Sequence, residues 1–534
     1  MRWIVFMTAL AICSASFGQD TAADPSEFTP PPDAQAPRFD ILEFRVTGNK
    51  LLTRAQVEQA VYPYMGKGKT IAEVEAARAK LETTYQELGY LSVTVDIPEQ
   101  QVTRGVVTLK VIEAPVGKLR ITGSRYYTHG RIREVVTSLA EGNVPNFNTV
   151  QRELVQLNRT PDRRVTPVLS PSQVPGQVDV ELKVADQSPL HGNVELNNRY
   201  SANTSPTRAS VAIRYDNLFQ RDHSVNLQYQ IAPENRDDSR VLSVSYVVPT
   251  ASGTTWAAYA VKADSNVAAL SNLNVIGNGN IFGVRRIQPL QPLPDFYHSL
   301  TLGVDYKNFK QNVLLQGSDS VATPVTYAPF TAQYSATWVG GSDQHRSRTV
   351  FDTGSTLLVR GLVADREEFT NKRFGASTSF ITFRSGLQRE DERPGLGSLF
   401  AKGDFSLASG PLISNEQYAA GGMDTVRGYT EFECLGDAGG RASIEARRPV
   451  NLPGKFEADD PQTRVYAFFD AAWLRILEPL PAQKNRCNLA SAGLGMRYGK
   501  SGAGLTLDFT RAFEDGPVTR AGDMRILFRA NYDF

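Results

Sequence analysis

Met524-Arg525-Ile526-Leu527-Phe528-Arg529-Ala530-Asn531-Tyr532-Asp533-Phe534 closes the chain as one alternating segment. Met524, Ile526, Phe528, Ala530, Tyr532 and Phe534 fall on one face of a strand. Arg525, Arg529, Asn531 and Asp533 fall on the other, with Leu527 the one exception. Apolar side chains outside and polar ones inside, with a period of two, are what lipid on one face and water on the other demand. The pattern recurs upstream. Val225, Leu227, Tyr229 and Ile231 alternate with Asn226, Gln228 and Gln230, and Leu505, Leu507 and Phe509 alternate with Thr506, Asp508 and Thr510. A soluble sandwich also alternates, but gives no reason to stop in mid-strand on an aromatic residue. From residue 188 onward, strands with their connections recur roughly every 20 residues, which gives about sixteen or seventeen strands; the even count of bacterial barrels selects sixteen. The expected fold class is an all-β transmembrane barrel of about sixteen antiparallel strands over 188–534. Short turns such as 219–223 alternate with longer loops such as 313–325 and 411–440.

Composition is compatible with this. The chain has 534 residues, 41% of them hydrophobic and 21% charged, with a formal net charge of +1, so bulk charge points to no nucleic-acid partner. Past the N-terminus there is no apolar run of about 18 residues, which leaves no candidate for a spanning helix; a barrel escapes that test because only alternate residues face lipid. Residues 1–18 read as a signal peptide: Arg2 supplies the charge, Trp3 to Cys13 the apolar stretch, and Ser14 to Gly18 the small residues for cleavage. Leu10 to Cys13 resembles a lipobox, but Ile12 is too bulky for the position before the cysteine. Residues 19–37 carry Pro25, Pro30, Pro31, Pro32 and Pro37 and read as an extended linker. Cys434 and Cys487 are the only cysteines beyond the expected cut, a usage suited to an oxidising compartment.

Between linker and barrel the sequence repeats itself. Glu43-Phe44-Arg45-Val46-Thr47-Gly48-Asn49 returns 75 residues on as Lys118-Leu119-Arg120-Ile121-Thr122-Gly123-Ser124. Gly105-Val106-Val107-Thr108-Leu109-Lys110-Val111 is echoed by Val178-Asp179-Val180-Glu181-Leu182-Lys183-Val184. Two matched ends at similar spacing indicate a duplication. In the first copy a strand over 40–49 precedes helical patterns at 53–62 and 71–88, Gly89 stops the second helix, and strands follow at 92–97 and 106–112. The second copy has helical patterns at 130–139 and 149–157. The order β-α-α-β-β resembles the POTRA domain, and the boundaries drawn are 38–113 and 114–187. That resemblance implies periplasmic units that bind unfolded chains by adding a strand to a sheet edge.

Motifs of enzyme chemistry fail on inspection. Gly499-Lys500-Ser501 suggests a phosphate loop, but the first required glycine would stand at Leu494, in a strand-and-turn context. Gly277, Gly279 and Gly283 have the wrong spacing for a dinucleotide site. His129, His191, His223, His298 and His345 are scattered without metal-ligand spacing, and there is no Gly-x-Ser-x-Gly elbow. The expectation is no enzyme, no catalytic residue, no metal and no cofactor.

Three features carry a family resemblance: Leu157-Asn158-Arg159-Thr160-Pro161-Asp162-Arg163-Arg164-Val165-Thr166-Pro167-Val168-Leu169; Glu195-Leu196-Asn197-Asn198-Arg199 with Arg214-Tyr215-Asp216-Asn217-Leu218; and Val426-Arg427-Gly428-Tyr429. Together they are similar to the two-partner secretion outer-membrane transporters, the haemolysin secretion/activation family within the POTRA-plus-barrel superfamily. The resemblance spans the chain beyond the signal segment. It implies export of a large unfolded exoprotein, of adhesin or cytolysin type, captured by the POTRA pair and passed through the pore. It also implies that the long sixth outer loop folds into the pore and that Arg427 meets an acid on the inner wall, here matched by Phe468-Phe469-Asp470. Phe534 resembles the signal read by the barrel-assembly machinery. Cys434 lies in the same loop and Cys487 in the next expected outer loop, either joined as a disulfide or standing as two thiols. The proline-rich segment 19–37 departs from the pore-plugging N-terminal helix of some members. A barrel-assembly or insertase relative would share the overall plan, and a passive porin or receptor would not need tandem POTRA units.

Overall fold

The computed structural model describes residues 37–534, apart from 266, 271–272, 311, 315–319, 343, 451–462 and 482. The expected signal peptide and nearly all of the linker lie outside the described residues.

The first α/β unit runs β1 (Phe39–Ile41), β2 (Glu43–Thr47), α1 (Arg54–Val61), β3 (Gly66–Lys69), α2 (Ile71–Glu87), β4 (Val93–Asp96) and β5 (Val106–Glu113). Both helices start on capping boxes, Thr53 with Gln56 and Thr70 with Glu73, in which each threonine and its third helical residue satisfy one another's free donors. The sheet order is β2-β5-β4, with β2 parallel to β5. Val74, Leu81 and Tyr85 of α2 pack on Val93, Val107 and Leu109. Two details differ from expectation. The first strand breaks at Leu42, because the amides of Leu42 and Glu43 both donate to the Gly105 carbonyl, at 2.7 and 3.1 Å. Gly-Lys-Gly-Lys, which has no apolar alternation to announce a strand, forms β3 and pairs with β1.

The second unit holds β6 (Val116–Thr122), α3 (His129–Val135), α4 (Phe147–Leu157), β7 (Arg163–Pro171) and β8 (Val178–Asp186), with sheet order β6-β8-β7. The helix expected over 130–139 ends early and finishes as a 3-10 turn at Thr137–Leu139. The duplication is visible in atomic detail. Gly48 and Gly123 both take φ of +84°, and a Cβ there would stand 2.2 Å from the Val111 carbonyl oxygen or 2.3 Å from that of Val184. Only glycine fits. Beyond each glycine one carboxylate gathers the free amides of the turn: Glu113 accepts from Lys50 (2.8 Å) and Leu51 (2.9 Å), and Asp186 from Arg125 and Tyr126 (both 2.9 Å). Gly48→Ala or Gly123→Ala is expected to unseat its own turn, at more than the roughly 1–2 kcal/mol of a left-handed residue, because a carbonyl is also struck. Hydrogen exchange should show protection lost at residues 50–51 or 125–126 respectively; unchanged protection would refute the shared-turn reading.

Sixteen strands close the barrel. They are β9 (Leu190–Asn197), β10 (Arg208–Leu218), β11 (His223–Ile231), β12 (Arg240–Pro249), β13 (Thr255–Asp264), β14 (Gly279–Pro289), β15 (Phe296–Phe309) and β16 (Val325–Tyr327 continuing as Phe330–Ser342). There follow β17 (His345–Leu358), β18 (Phe380–Arg393), β19 (Gly397–Ala408), β20 (Ala438–Pro449), β21 (Arg464–Arg475), β22 (Arg486–Lys500), β23 (Ala503–Ala512) and β24 (Met524–Asp533). Each pairs antiparallel with its neighbours in sequence, and β24 closes onto β9. Ile444, Phe469, Trp473, Leu494 and Phe509 point outward and are exposed, while Tyr466, Phe468 and Asp470 point inward and are buried. This outer apolar face is the one a bilayer solvates. Leu527, the exception in the last strand, turns inward and is buried beside its cross-strand partner Asp508.

The closing ladder is the shortest in the barrel, running from Arg529 opposite Asn197 to Asp533 opposite Asn193. Phe534 extends it by exchanging both backbone hydrogen bonds with Gly192, at 2.7 and 2.9 Å, and stacks on Tyr532. Above the ladder the Asn198 side chain takes the place of a peptide group, donating to the Ile526 carbonyl (2.7 Å) and accepting from the Phe528 amide (2.8 Å).

Candidate functional site: a loop clamped to the inner wall

The connection from β19 to β20, residues 409–437, folds back into the barrel. A short antiparallel ladder, Tyr418–Ala420 with Cys434–Gly436, holds its two limbs together. Beyond that ladder lies a turn in which Val426, Arg427 and Tyr429 are all buried. Gly428 takes φ of +96°, and a Cβ there would come within 3.2 Å of Thr510 Oγ1, so glycine lets the turn lie flat on β23.

The turn delivers Arg427 to a double acid. Its Nε and Nη2 donate to the two oxygens of Asp470, each at 2.7 Å, and Nη1 donates to Glu445 Oε1 at 2.6 Å. Its backbone amide also reaches Asp470 (3.1 Å), and Nη2 reaches Ser443 Oγ (3.2 Å). The guanidinium lies 3.5 Å over the ring of Phe468. Register explains the convergence. Ser443 on β20 pairs with Asp470 on β21, and Glu445 pairs with Phe468, so four inward side chains surround one cation. Asp470 is fully buried and Arg427 is 5% exposed. A bidentate guanidinium–carboxylate pair withdrawn from water is strong only when its donors are used, and here all three guanidinium nitrogens donate.

The structure thus brings Arg427, Phe468 and Asp470 together, and adds Glu445 and Ser443, which sequence reading did not single out. Nothing marks them in isolation: Ser443, Glu445 and Arg447 are merely the inward polar residues that any barrel strand carries. Tyr429 anchors the turn on the far side, its hydroxyl donating to the carbonyls of Ala490 (3.0 Å) and Glu514 (2.9 Å). Farther along, Glu433 accepts from the amides of Thr430 (2.8 Å) and Thr519 (2.7 Å) and from both threonine hydroxyls. Burial alone would raise the pKa of Glu433, and these donors outweigh it, holding the carboxyl below its ordinary value.

Other anchors distribute the loop around the wall. Arg199, just past β9, binds Asp424 (2.6 Å) and Glu431 (3.1 Å). Lys307 of β15 and Tyr327 of β16 both bind Glu416, at 2.6 and 2.7 Å. Arg373, which follows helix α5 (Arg366–Lys372) in the β17–β18 loop, makes a bidentate pair with buried Asp437. The lumen beside the loop retains a cavity of about 580 Å³ whose walls include the side chains of Gln333, Asp352, Arg384 and Lys402.

Cys434 and Cys487 form a disulfide with Cα atoms 6.3 Å apart. Cys487 is not in an outer loop as expected: it is the second residue of β22, paired with Leu474 of β21, so the bridge ties the loop directly to a wall strand. Cys434→Ser is expected to leave the loop seated by its carboxylate anchors while removing about 2–4 kcal/mol of cross-link stabilisation. On heated, unboiled gels the folded band should be lost at a lower temperature; an unchanged transition would show that the bridge adds nothing.

At the barrel's other end, the Leu157–Leu169 segment docks the second α/β unit on the first short turn. Arg163 is completely buried, with Nη1 and Nη2 each 3.1 Å from an Asp222 oxygen, Nε 2.8 Å from the Leu157 carbonyl, and its plane over the Tyr127 ring. Gln220 of the same turn accepts from the Thr128 amide (3.0 Å) and donates to the Tyr126 carbonyl (3.1 Å).

Comparison with known proteins agrees with this architecture. Residues 39–114 match the POTRA domain, ShlB-type, and residues 176–281 and 403–498 match the haemolysin secretion/activation protein family ShlB/FhaC/HecB. The chain is 22% identical over 509 residues to the outer membrane transporter CdiB of Escherichia coli O6:K15:H31 (strain 536 / UPEC), an alignment covering 92% of this chain and 83% of the relative. In fold it resembles CdiB from Escherichia coli, with a TM-score of 0.60 at 18% identity over 96% of this chain and 93% of that one. It also resembles BamA from Haemophilus ducreyi lacking POTRA domains 1-3, with a TM-score of 0.54 at 15% identity over 93% and 100%. These matches place the barrel in the outer membrane with its POTRA region in the periplasm. The chain belongs to the haemolysin secretion/activation family of two-partner secretion outer-membrane transporters.

Proposed function

We propose that this protein exports one large secreted partner, unfolded, through the barrel lumen, after its POTRA units have taken hold of that partner in the periplasm. The observation that carries the reading is the Arg427 clamp: a loop occupies the pore, is fixed to the wall at a few charged points, and leaves open space beside it. A passive pore has no use for such a clamp together with two POTRA units. The relatives named as outer membrane transporters point the same way.

The capture step would use the open edges of the small sheets, β2 and β4 in the first and β6 and β7 in the second, where an extended chain can add a strand. Val168 and Leu169 on β7 offer exposed apolar contacts beside that edge. Val426, Arg427, Gly428 and Tyr429 would act as the pore-loop motif, with Phe468 and Asp470 as its wall partners. Phe534, presented on the closing strand, would be the residue read by the barrel-assembly machinery during biogenesis. No nucleotide is needed, since folding of the partner outside the cell can supply direction. The family is one of transporters rather than enzymes.

The test is deletion of the gene, complemented with wild type, followed by mass spectrometry of supernatant, cell surface and outer membrane. Loss and restoration of one large surface or secreted protein, with other barrels unchanged, is the expected result. Collapse of many outer-membrane proteins together would instead make the chain an assembly factor.

A further inference from the structure

The interface between the second α/β unit and the barrel contains a cluster that neither the export reading nor the loop clamp uses. Asp162 precedes β7, His191 lies on β9, and Asp216 lies on β10. One oxygen of each carboxylate and the His191 Nε2 all lie within 4.8 Å of one another. Asp162 Oδ2 is 2.9 Å from His191 Nε2, and Asp216 Oδ2 is 3.6 Å from the same nitrogen. Ligands about 2.0–2.2 Å from a tetrahedral ion stand roughly 3.3–3.6 Å apart, so the three need only small adjustments to share one.

Charge argues for a cation. Asp222 is neutralised by Arg163, and Asp216 by Arg214. Asp162, 1% exposed, has His191 as its sole partner among the described salt bridges, and that partner is a cation only when protonated. Its other oxygen takes a neutral hydrogen bond from Gln187 (3.0 Å). A carboxylate this deeply buried with no fixed positive charge is costly.

We propose that Asp162, His191 and Asp216 bind a divalent transition-metal ion of the zinc type, which fastens the second POTRA unit to the first hairpin of the barrel. Imidazole with two carboxylates is a donor set such an ion accepts. A cavity of about 470 Å³, lined by Asp216, Arg214, Ser224 and Arg159, adjoins the Asp216 side and leaves room for a water as fourth ligand. Hydrogen bonds already orient two of the ligands: Gln187 donates to Asp162 Oδ1 at 3.0 Å, and Ser224 donates to Asp216 Oδ1 at 2.7 Å. Arg214 is the competitor, because its Nε donates to the ligand oxygen of Asp216 at 2.8 Å from a half-exposed position. The three ligands come from two domains, so no local spacing in the sequence announces them.

The experiment uses the full chain in detergent, dialysed against chelator and then titrated with Zn²⁺ by calorimetry, with Co²⁺ as a spectroscopic probe of ligand geometry. Wild type should show one tight site. His191→Ala should weaken it by at least about 100-fold, the upper end of what even an outer-shell partner is worth. Arg214→Gln should tighten it by removing the competing guanidinium. A site that survives His191→Ala unchanged, or a wild type that binds no ion at about tenfold above micromolar zinc, overturns the proposal. Arg214→Gln that lowers stability without raising zinc affinity also overturns it, showing a plain hydrogen-bonded clasp. Equal gel mobility of folded wild type and variants before heating serves as the folding control.

Discussion

Arg427→Ala should reach the outer membrane at wild-type levels, export its partner at less than about a tenth of the wild-type rate, and conduct ions more readily in a planar bilayer. Assembly should survive because no barrel ladder runs through Arg427 and the Cys434–Cys487 bridge still holds the loop's second limb. The loss of the guanidinium leaves Asp470 buried without its one cation among the described salt bridges, while Glu445 beside it keeps Arg447 at 2.7 Å. Breaking a buried pair in this way costs about 3–5 kcal/mol, more than enough to release the turn and admit water to the acids. On the export reading proposed above, the pore would then lose the clamp that orients the passing chain while opening to small ions. Arg427→Lys should behave almost as badly, since an ammonium cannot span Asp470 with two donors while reaching Glu445 and covering Phe468. Normal export at matched surface level by Arg427→Ala would remove the clamp from the mechanism.

The second large effect is expected at the opposite end. Arg163→Ala strands Asp222 and removes the face that covers Tyr127, again about 3–5 kcal/mol for a buried pair. The second POTRA unit should then come away from the turn between β10 and β11, with the barrel ladders intact. Hydrogen exchange is the measurement. Thr128, whose amide donates to Gln220, should exchange at least about a hundredfold faster, as expected when a local opening free energy falls by several kcal/mol. If Thr128 and the 219–223 turn keep their protection, Arg163 is not the fastener. Arg163→Lys tests the chemistry, because a lysine can carry the charge but not the two parallel hydrogen bonds.

Much of this architecture is legible in the sequence because period two and period 3.6 are written in side-chain hydropathy. Tyr466, Phe468 and Asp470 against Phe469 and Trp473 give one face of β21 by alternation alone, and the family resemblance singles out Asp470 on that face. The two capped helices of the first unit and the paired glycines at 48 and 123 are equally local. What is missed depends on register or on contact between distant segments. Glu445 becomes a partner of Arg427 only because β20 pairs with β21 with Ser443 opposite Asp470. Asp162, Arg163 and Asp216 lie in stretches that carry the family resemblance, but their meeting with Asp222 and His191 crosses a domain boundary and leaves no mark in a single-sequence pattern. Gly66–Lys69 becomes a strand through backbone pairing alone, with no side-chain alternation to reveal it. Cys487 falls one step inside a strand, where loop and strand signals overlap.

The inward loop also has a place in time. Its anchors lie on β15, β16, β20 and β21, on Arg199 just past the first strand, and through Glu433 on the segment just before the last. Such a set can be complete only when the two ends of the sheet have met. During biogenesis the loop therefore acts as a seal that sets last. An intermediate whose β24 has not yet reached β9 should expose residues 409–437 to protease, and the finished barrel should hide them.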